Sequence, residues 1–264
     1  MIGAGPAYTD RRGAAASSYL LLADGAALLL DLGQGAFSNL SAHVEPSALT
    51  AVLISHLHPD HFVDLVPLRH YLKWEFDPPR RAQVIGPAGL ADRLDGLDGQ
   101  PGFSAVSLDT QDLAEGVIRV GPFEVEARRV THTENSYAFR VTCGSGAGSG
   151  GNAAGSGGNA AGSSQSGPGI VYSGDCSCAD DLLPLIHPGD TLLCEASFGA
   201  GPVAPGAQHI TAADAAQAAS VGSASRLLLT HVLSGHSRAE IVDAASSVFE
   251  GPVQLVTEGD RFVV

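Results

Sequence analysis

The sequence predicts an α/β fold whose functional site lies at the ends of several strands. Short apolar stretches that suit buried strands alternate with helical patterns along most of the 264 residues. Four of these stretches end at a histidine or an aspartate, namely His56, His132, Asp175 and His231. Open α/β sheets place their sites at strand ends, and unrelated surface histidines would not fall at successive ones. We therefore expect these four side chains to meet.

Composition and charge argue against several classes of protein. Hydrophobic residues make up 44% of the chain, enough for a substantial core, and no apolar run is long enough to cross a membrane. The four cysteines form no C-x-x-C pair and follow no signal peptide, which predicts a reducing cytoplasm. A net charge of −14, with Lys73 as the only lysine, disfavours a surface built to grip nucleic acid. A small phosphorylated substrate remains compatible, because bound metal ions can reverse the local field.

The first half of the chain begins with a predicted hairpin. Apolar residues 18–23 and 26–32 flank Asp24-Gly25, a strong turn signal. Further strands are expected at 51–54, 82–85, 103–108, 116–120 and 123–130, with helices at 63–73 and from 86–88 to about 96.

The second half repeats the alternation. Strands are expected at 136–142, 170–173, 190–195, 226–230, 253–256 and 261–264, and helices at 179–186, 212–221 and 238–249. Thr211 directly precedes the second of these helices and is a suitable N-cap.

Residues 143–169 have a different composition from the rest of the chain. They are almost entirely Gly, Ser, Ala and Asn, and Gly-Ser-Gly-Gly-Asn-Ala-Ala occurs twice in tandem over residues 148–161. Such a segment buries too little apolar surface to offset its ordering entropy, so we expect a disordered loop. Because the flanking strands suit a hairpin, we interpret it as an insert within one domain spanning 1–264, since long loop insertions cost little.

The densest cluster of polar side chains directly follows the strand predicted at 51–54. It contains His56, His58, Asp60 and His61, and imidazole and carboxylate are ligands for zinc and similar divalent ions. His56 and His58 point the same way in an extended segment, whereas Asp60 and His61 follow the turn at Pro59 and face a second point. One loop can thus supply two ligands to each of two ions. A histidine-rich surface loop is the alternative, and the preceding core strand disfavours it.

This H-x-H-x-D-H pattern resembles the signature of the metallo-β-lactamase-fold hydrolases. The resemblance implies a four-layer αβ/βα sandwich with a binuclear metal site at the strand ends. It also implies two sets of ligands and one bridge: His56, His58 and His132 on one ion, Asp60, His61 and His231 on the other, and Asp175 between them. Zinc is the default for such ligands, although manganese or iron would fit as well.

Asp31 follows the strand predicted at 26–32. In the family the matching aspartate hydrogen-bonds the backbone of the loop that carries the first four ligands, here called the metal loop (residues 53–61). The resemblance gives Asp31 that supporting role. The alternative is that Asp31 caps the helix that follows.

The pattern Glu195-Ala196-Ser197, followed by His209, resembles an element of ribonuclease Z and its phosphodiesterase relatives. The resemblance makes His209 the proton donor to the leaving oxygen and Glu195 the residue that orients it, and Asp60 is counted with them as catalytic. The alternative is that His209 and Glu195 do not touch. A hydroxide held between two ions about 3.5–4 Å apart would attack phosphorus. The ions should dominate the rate, since a general acid adds only about 3–5 kcal/mol.

The resemblance is closest to a ribonuclease Z-like subgroup described as atypical class II cyclic-nucleotide phosphodiesterases. It rests on Tyr172-Ser173-Gly174-Asp175, Cys194-Glu195-Ala196-Ser197 and residues 227–231. Ribonuclease Z grips tRNA with a basic arm between the third histidine and the bridging aspartate. Here that interval holds the insert, which has no Lys, Arg or aromatic residue. A small phosphodiester such as a 3′,5′-cyclic nucleotide is therefore favoured over tRNA.

Other functions and assemblies stay open. The alternatives are a tRNA 3′-processing endonuclease and a carbon-centred hydrolase such as a thioesterase or lactonase. A non-enzymatic scaffold would require an empty site. Relatives often form homodimers, so a homodimer is compatible with the sequence.

Overall fold

Two β-sheets face each other in the computed structural model, which describes residues 1–8, 11–144, 167–204 and 206–264. In the described residues, the first sheet has five strands in the order β1-β2-β3-β4-β5. They are β1 (Tyr19–Ala23), β2 (Ala26–Leu30), β3 (Ala51–Leu53), β4 (Ala82–Gly86) and β5 (Leu108–Asp112). The β1–β2 pair is antiparallel and the other pairs are parallel.

The second sheet has seven strands in the described part of the chain, in the order β12-β11-β10-β9-β8-β7-β6. They are β6 (Gly116–Val120), β7 (Phe123–Arg129), β8 (Tyr137–Cys143), β9 (Ile170–Tyr172), β10 (Thr191–Glu195), β11 (Arg226–Thr230) and β12 (Val253–Leu255). Strands β9 to β12 are parallel, whereas β6, β7, β8 and β9 pair antiparallel. Because β7 and β9 are both antiparallel to β8, the carboxyl ends of β7, β9, β10 and β11 lie at one edge.

Helices cover the outer faces of both sheets. They are α1 (Ala36–Ser41), α2 (Pro59–Phe62), α3 (Leu65–Trp74), α4 (Leu90–Asp98), α5 (Ala212–Val221) and α6 (Arg238–Ser246). No helix in the described residues is long and apolar enough to cross a membrane.

Alternating side chains of the strands build the layers. In β2, Leu28 and Leu30 pack into the core between the sheets, whereas Leu29 packs outward against α1, α3 and α4. In β11, Leu228 faces the inter-sheet core, and its neighbours Leu227 and Leu229 pack against α5 and α6. The helix–sheet–sheet–helix arrangement implied by the family resemblance is confirmed.

Several predicted elements are reproduced by the structure. The hairpin around Asp24-Gly25 forms with Ala23 opposite Ala26. Helix α5 has the predicted bounds, and Thr211 caps it in a capping box with Asp214. Residues on both sides of the Gly/Ser/Ala/Asn segment form the predicted hairpin, with Val141 opposite Ile170.

Three predicted elements are wrong. The strand predicted at 103–108 begins only at Leu108, the first residue of β5, because Ser104 donates from its amide and its hydroxyl to Asp95 and lies in the 3₁₀ turn Ser104–Val106. Residues 179–186 form only the 3₁₀ turn Ala179–Leu182, since Pro184 cannot donate to a longer helix. Residues 261–264 form no strand, and Val263 is 91% exposed.

The predicted insert begins one residue too early, because Cys143 belongs to β8. At its other end, Gly169 is tied to Asp190 by a backbone amide hydrogen bond of 2.7 Å. The disorder predicted for 143–169 concerns mainly 145–166, which lie outside the described residues.

A buried ion pair joins β8, the strand that precedes this segment, to the residue just before β10. The Arg140 guanidinium donates to Asp190 at 2.7 and 2.9 Å, and Asp190 also accepts the amides of Gly169 and His187. The side chains of Arg140 and Asp190 are 5% and 0% exposed.

We predict that Asp190→Ala lowers the free energy of unfolding by about 3–5 kcal/mol, because it removes the acid partner of a buried guanidinium and the acceptor of two amides. The matched control is Asp109→Ala, which removes the acid of an exposed pair with Arg81 and should cost at most about 1 kcal/mol. Urea unfolding of both variants measures the difference. Equal losses in the free energy of unfolding would show that the buried pair contributes no more to stability than the exposed pair.

Candidate metal centre

The segment after β3 carries four of the predicted site residues around a sharp turn. His56 stands three residues after the end of the strand, and His58 precedes the short helix α2, which starts with Pro59. Asp60 and His61 lie in the single turn of α2, and the His61 amide donates to the His58 carbonyl. The chain therefore reverses between the two halves of the motif, which directs them toward different points.

The first half of the motif, His56 and His58, lies next to two residues that follow strands of the second sheet, His132 and Asp175. The donor atoms of His56, His58, His132 and Asp175 lie within 4.8 Å of one another. His132 Nε2 is 3.1 Å from His58 Nδ1 and 3.9 Å from Asp175 Oδ2. His56 Nε2 is 3.7 Å from the same carboxylate oxygen.

The second half meets the same aspartate. The donor atoms of Asp60, His61, Asp175 and His231 also lie within 4.8 Å of one another. His231 Nε2 is 3.2 Å from Asp60 Oδ2, and His61 Nε2 is 3.3 Å from Asp175 Oδ1. Asp175 therefore belongs to both donor groups, as its predicted bridging position requires.

Three buried donor atoms of the two groups have no hydrogen-bond partner among the described residues. They are His56 Nε2, His61 Nε2 and Asp175 Oδ1. Buried polar atoms are rarely left unsatisfied, and a role in holding an ion is one accepted reason. Since all three atoms point into the two donor groups, the residues fit a pair of metal ions.

Hydrogen bonds on the far ring nitrogens fix how the histidines face this centre. Nδ1–H of His132 donates to the carbonyl of Gln208 at 2.8 Å, and Nδ1–H of His231 donates to Ser197 Oγ at 2.9 Å. His61 Nδ1–H donates to Asp31 Oδ2 at 2.7 Å. Such bonds select the tautomer that leaves Nε2 free for a metal. His58 differs, because its Nδ1 faces the other donors.

Asp31 supports the metal loop as the resemblance implied. One oxygen accepts the Ser55 amide, and the other accepts the Ser55 and Tyr172 hydroxyls, each at 2.7 Å. The side chain does not cap α1, whose N-cap is Gly35 without a side-chain cap.

Two glycines allow the loops to approach closely. A Cβ on Gly33 would lie 1.9 Å from the Asp60 carbonyl oxygen. Gly174, which precedes Asp175, has a φ of 57°, and a Cβ there would lie 2.7 Å from the Tyr137 carbonyl oxygen.

Two residues of the centre hold the left-handed conformation without being glycine. Asp31 has a φ of 58° and His231 a φ of 57°. Such residues cost on the order of 1–3 kcal/mol each and concentrate at functional sites.

Burial and neighbouring charges set the protonation of the centre. Burial, helped by His61, holds the pKa of His56 well below 6.5, and burial also lowers the pKa of His58. Both rings are therefore neutral near pH 7, the form that binds metals.

The carboxylates favour positive charge on the neighbouring histidines, whereas burial disfavours it. Burial would raise the pKa of Asp175, but the adjacent His231 and His61 hold it well below 3.8. Burial opposes protonation of His61 too, yet Asp175 and Asp31 raise its pKa well above 6.5. The buried acids thus favour positive charge here, which a proton or a metal cation can supply.

Glu195 and His209 are in contact beside the two donor groups, so the alternative that they do not touch is wrong. His209 Nδ1–H donates to Glu195 Oε1 at 2.9 Å, and the ring centre lies 4.9 Å from that of His132. Burial would lower the pKa of His209, but the hydrogen bond and charge of Glu195 raise it above 6.5. Glu195 also accepts the Ser197 hydroxyl, and this links it to His231.

The sequence left three of these supporting residues without a role, namely Ser55, Tyr172 and Ser197. Tyr172 and Ser197 stand within motifs that carry the family resemblance, whereas the only signal for Ser55 is its position beside His56. His236 is exposed and packs against Gly199, and neither Cys176 nor Cys178 joins a donor group in the described residues.

Comparison with known proteins agrees with this geometry. Residues 28–232 match the family model of the beta-lactamase superfamily domain. An uncharacterized protein of Mycobacterium leprae is 32% identical over 255 residues, covering 94% of this chain and 82% of its own length. The probable metallo-hydrolase YhfI of Bacillus subtilis is 26% identical over 253 residues, covering 93% of this chain and 91% of its own length.

Solved structures show the same fold. The crystal structure of YhfI, a metallo-beta-lactamase fold protein, superposes with a TM-score of 0.80 at 24% identity, covering 98% of this chain and 95% of that one. Human tRNase Z, short form, gives a TM-score of 0.66 at 23% identity, covering 97% and 95%. With its family match, its fold and its paired donor groups, the chain belongs to the beta-lactamase superfamily, and its architecture is that of the ribonuclease Z-like metallo-β-lactamase fold.

Proposed function

We propose that this protein is a metal-dependent phosphodiesterase that hydrolyses a P–O bond in a small substrate, with 3′,5′-cyclic nucleotides as the favoured class. The observation that carries the proposal is the 2.9 Å contact between His209 and Glu195 beside two donor groups that share Asp175. The similarity to YhfI, described as a probable metallo-hydrolase, supports the hydrolytic part.

Seven side chains would hold two divalent cations. His56, His58 and His132 would bind one, Asp60, His61 and His231 the other, and Asp175 would bind both. When bound, such cations lower the pKa of water and offset the charge of a phosphodiester. Zinc is the default metal for this donor set.

His209 would supply the proton that the leaving oxygen needs. Glu195 holds Nδ1–H, so Nε2 is the ring atom free to carry a proton toward the substrate. A water oxygen forms its bond to phosphorus and gives up a proton to solvent as the P–O bond to the leaving group breaks. The electron pair of the broken bond passes to the leaving oxygen, and the Nε2 proton neutralises it. The raised pKa of His209 supports this role, because a larger fraction of the ring is protonated near pH 7.

Charge and composition favour a small substrate over tRNA. The chain carries a net charge of −14, and residues 143–169 contain no Lys, Arg or aromatic side chain in sequence. RNA recognition relies on cationic partners for phosphates and on rings for stacked bases.

We predict that His58→Ala lowers the bound metal from about two equivalents to about one or fewer. Hydrolysis should fall by more than about 100-fold, since losing a mere supporting partner already costs about 10- to 100-fold. Elemental analysis and turnover of bis(p-nitrophenyl) phosphate measure both effects. The control is His236→Ala, which removes an exposed histidine outside both donor groups and should change neither value. Full metal content in His58→Ala would contradict the ligand set.

A second prediction separates acid catalysis from metal binding. His209→Ala should keep its metal and lose about 10²- to 10⁴-fold in kcat on an ester with an alkoxide leaving group. It should lose much less with p-nitrophenolate, which leaves without protonation. Glu195, His209 and His231 also form a donor group. Loss of metal from His209→Ala, or equal losses on both esters, would therefore argue against the proton-donor role.

A third prediction concerns the substrate. Metal-reconstituted protein should hydrolyse 3′,5′-cyclic AMP and leave a tRNA precursor with a 3′ trailer largely intact. Parallel assays at equal protein concentration measure the two rates. Efficient cleavage of the precursor would replace our proposal with tRNA processing, and hydrolysis of thioesters or lactones alone would replace it with carbon-centred chemistry.

A further inference from the structure

A cavity of about 470 Å³ opens beside the first donor group. Its lining includes Leu57, which stands between His56 and His58, and Thr133, which follows His132. The start of α4 forms the adjoining part of the wall, where a Cβ on Gly89 would lie 4.0 Å from Leu57 Cδ1. A molecule in this cavity would therefore contact the metal loop directly. The volume is within the roughly 300–1,000 Å³ typical of small-molecule sites.

Two polar side chains lining the cavity have no partner. Arg93, which is exposed to solvent, and Asn135, which is partly buried, both line it, and neither side chain has a hydrogen bond or ion pair within the described parts of the chain. Most other guanidinium groups of this acidic chain are engaged, such as Arg81 with Asp109 and Arg128 with Glu126. An unpaired planar cation and an unpaired amide beside a catalytic centre are the groups that a ligand would use.

The loop that carries Asn135 is held in place. Thr133 contacts Ser136 through its amide and its hydroxyl, at 3.1 and 2.7 Å, and the Glu134 carbonyl accepts from Arg129 at 2.7 Å. These bonds do not involve the Asn135 side chain. The amide is thus presented on a braced turn, which reduces the entropy lost on binding.

The charges of the lining indicate what kind of group fits. Asp92 and Glu134 line the cavity together with Arg93, so two acids oppose one base. This balance of charge disfavours a phosphate in the cavity, in addition to the phosphodiester at the donor groups. It favours an uncharged group with hydrogen-bonding edges. Nucleobases stack on guanidinium planes as well as on rings, and an asparagine amide can both donate to and accept from a base edge.

We propose that this cavity binds the nucleobase of the substrate, with Arg93 stacking on the base and Asn135 reading its edge. The inference rests on the proposed phosphodiesterase function and adds a substrate class to it. Leu57 supplies apolar contact on the side nearest the donor groups. The two side chains determine specificity and take no part in the bond-breaking step.

A matched pair of substrates tests the proposal. Thymidine 5′-(p-nitrophenyl phosphate) and methyl p-nitrophenyl phosphate share the reacting bond and the leaving group and differ only in the nucleoside. Wild-type enzyme should show the higher kcat/KM on the nucleoside ester. Arg93→Ala and Asn135→Ala should lower that preference through KM, by about 5- to 150-fold for Arg93, the range for stacking one base. Both variants should hydrolyse the methyl ester as the wild type does.

Two further variants sharpen the result. Arg93→Lys keeps the positive charge but loses the planar guanidinium, so this variant should also lose the preference for the nucleoside ester. Arg119→Ala removes a guanidinium that is 82% accessible to solvent and does not line the cavity, and this variant should keep the preference.

The outcomes separate the two claims. If neither ester is hydrolysed, the phosphodiesterase function fails and the inference falls with it. Hydrolysis of both esters without preference, or a preference that survives in Arg93→Ala or Arg93→Lys, would overturn the base-binding cavity alone.

Discussion

One buried carboxylate connects the parts of this molecule that must meet. Asp31 follows β2 in the first sheet, and it accepts the Tyr172 hydroxyl from β9 in the second sheet. It also holds the Ser55 amide and hydroxyl and the Nδ1–H of His61. A charged group this deeply buried is tolerated only when several donors surround it. Burial and Asp31 raise the pKa of Tyr172 well above 10, so the phenol stays a donor. This one side chain thus ties the two sheets together at the metal loop.

The same region concentrates features that weaken a fold. Two non-glycine residues have positive φ, and three buried polar atoms have no partner in the described residues. Each of these features costs stability and is retained only where the surroundings enforce it. The apolar core between the two sheets provides that enforcement, because Leu28, Leu53 and Leu193 pack there without exposed surface, each within two residues of the carboxyl end of its strand. In exchange for this lost stability, we expect the donor atoms to be held in place before a ligand binds.

The sequence predicted the centre of the site more reliably than its surroundings. The H-x-H-x-D-H spacing and the polar residues at strand ends are local patterns, and the structure brings those seven side chains together. The 3₁₀ turn at Ser104–Val106 was not predictable in this way, because Asp95 imposes it from nine residues away. The roles of Tyr172 and Ser197 were also missed, since they depend on partners 141 and 34 residues distant. The cavity between α4 and residues 133–135 likewise has no sequence signature.

The measurement that tests the two-ion centre most directly is anomalous diffraction at the metal edge from crystals of the reconstituted protein. We expect two anomalous peaks about 3.5–4 Å apart, with Asp175 between them. One should lie against His58 Nδ1 and the other against His61 Nε2. A single peak, or peaks away from the strand ends that carry His132, Asp175 and His231, would contradict the account.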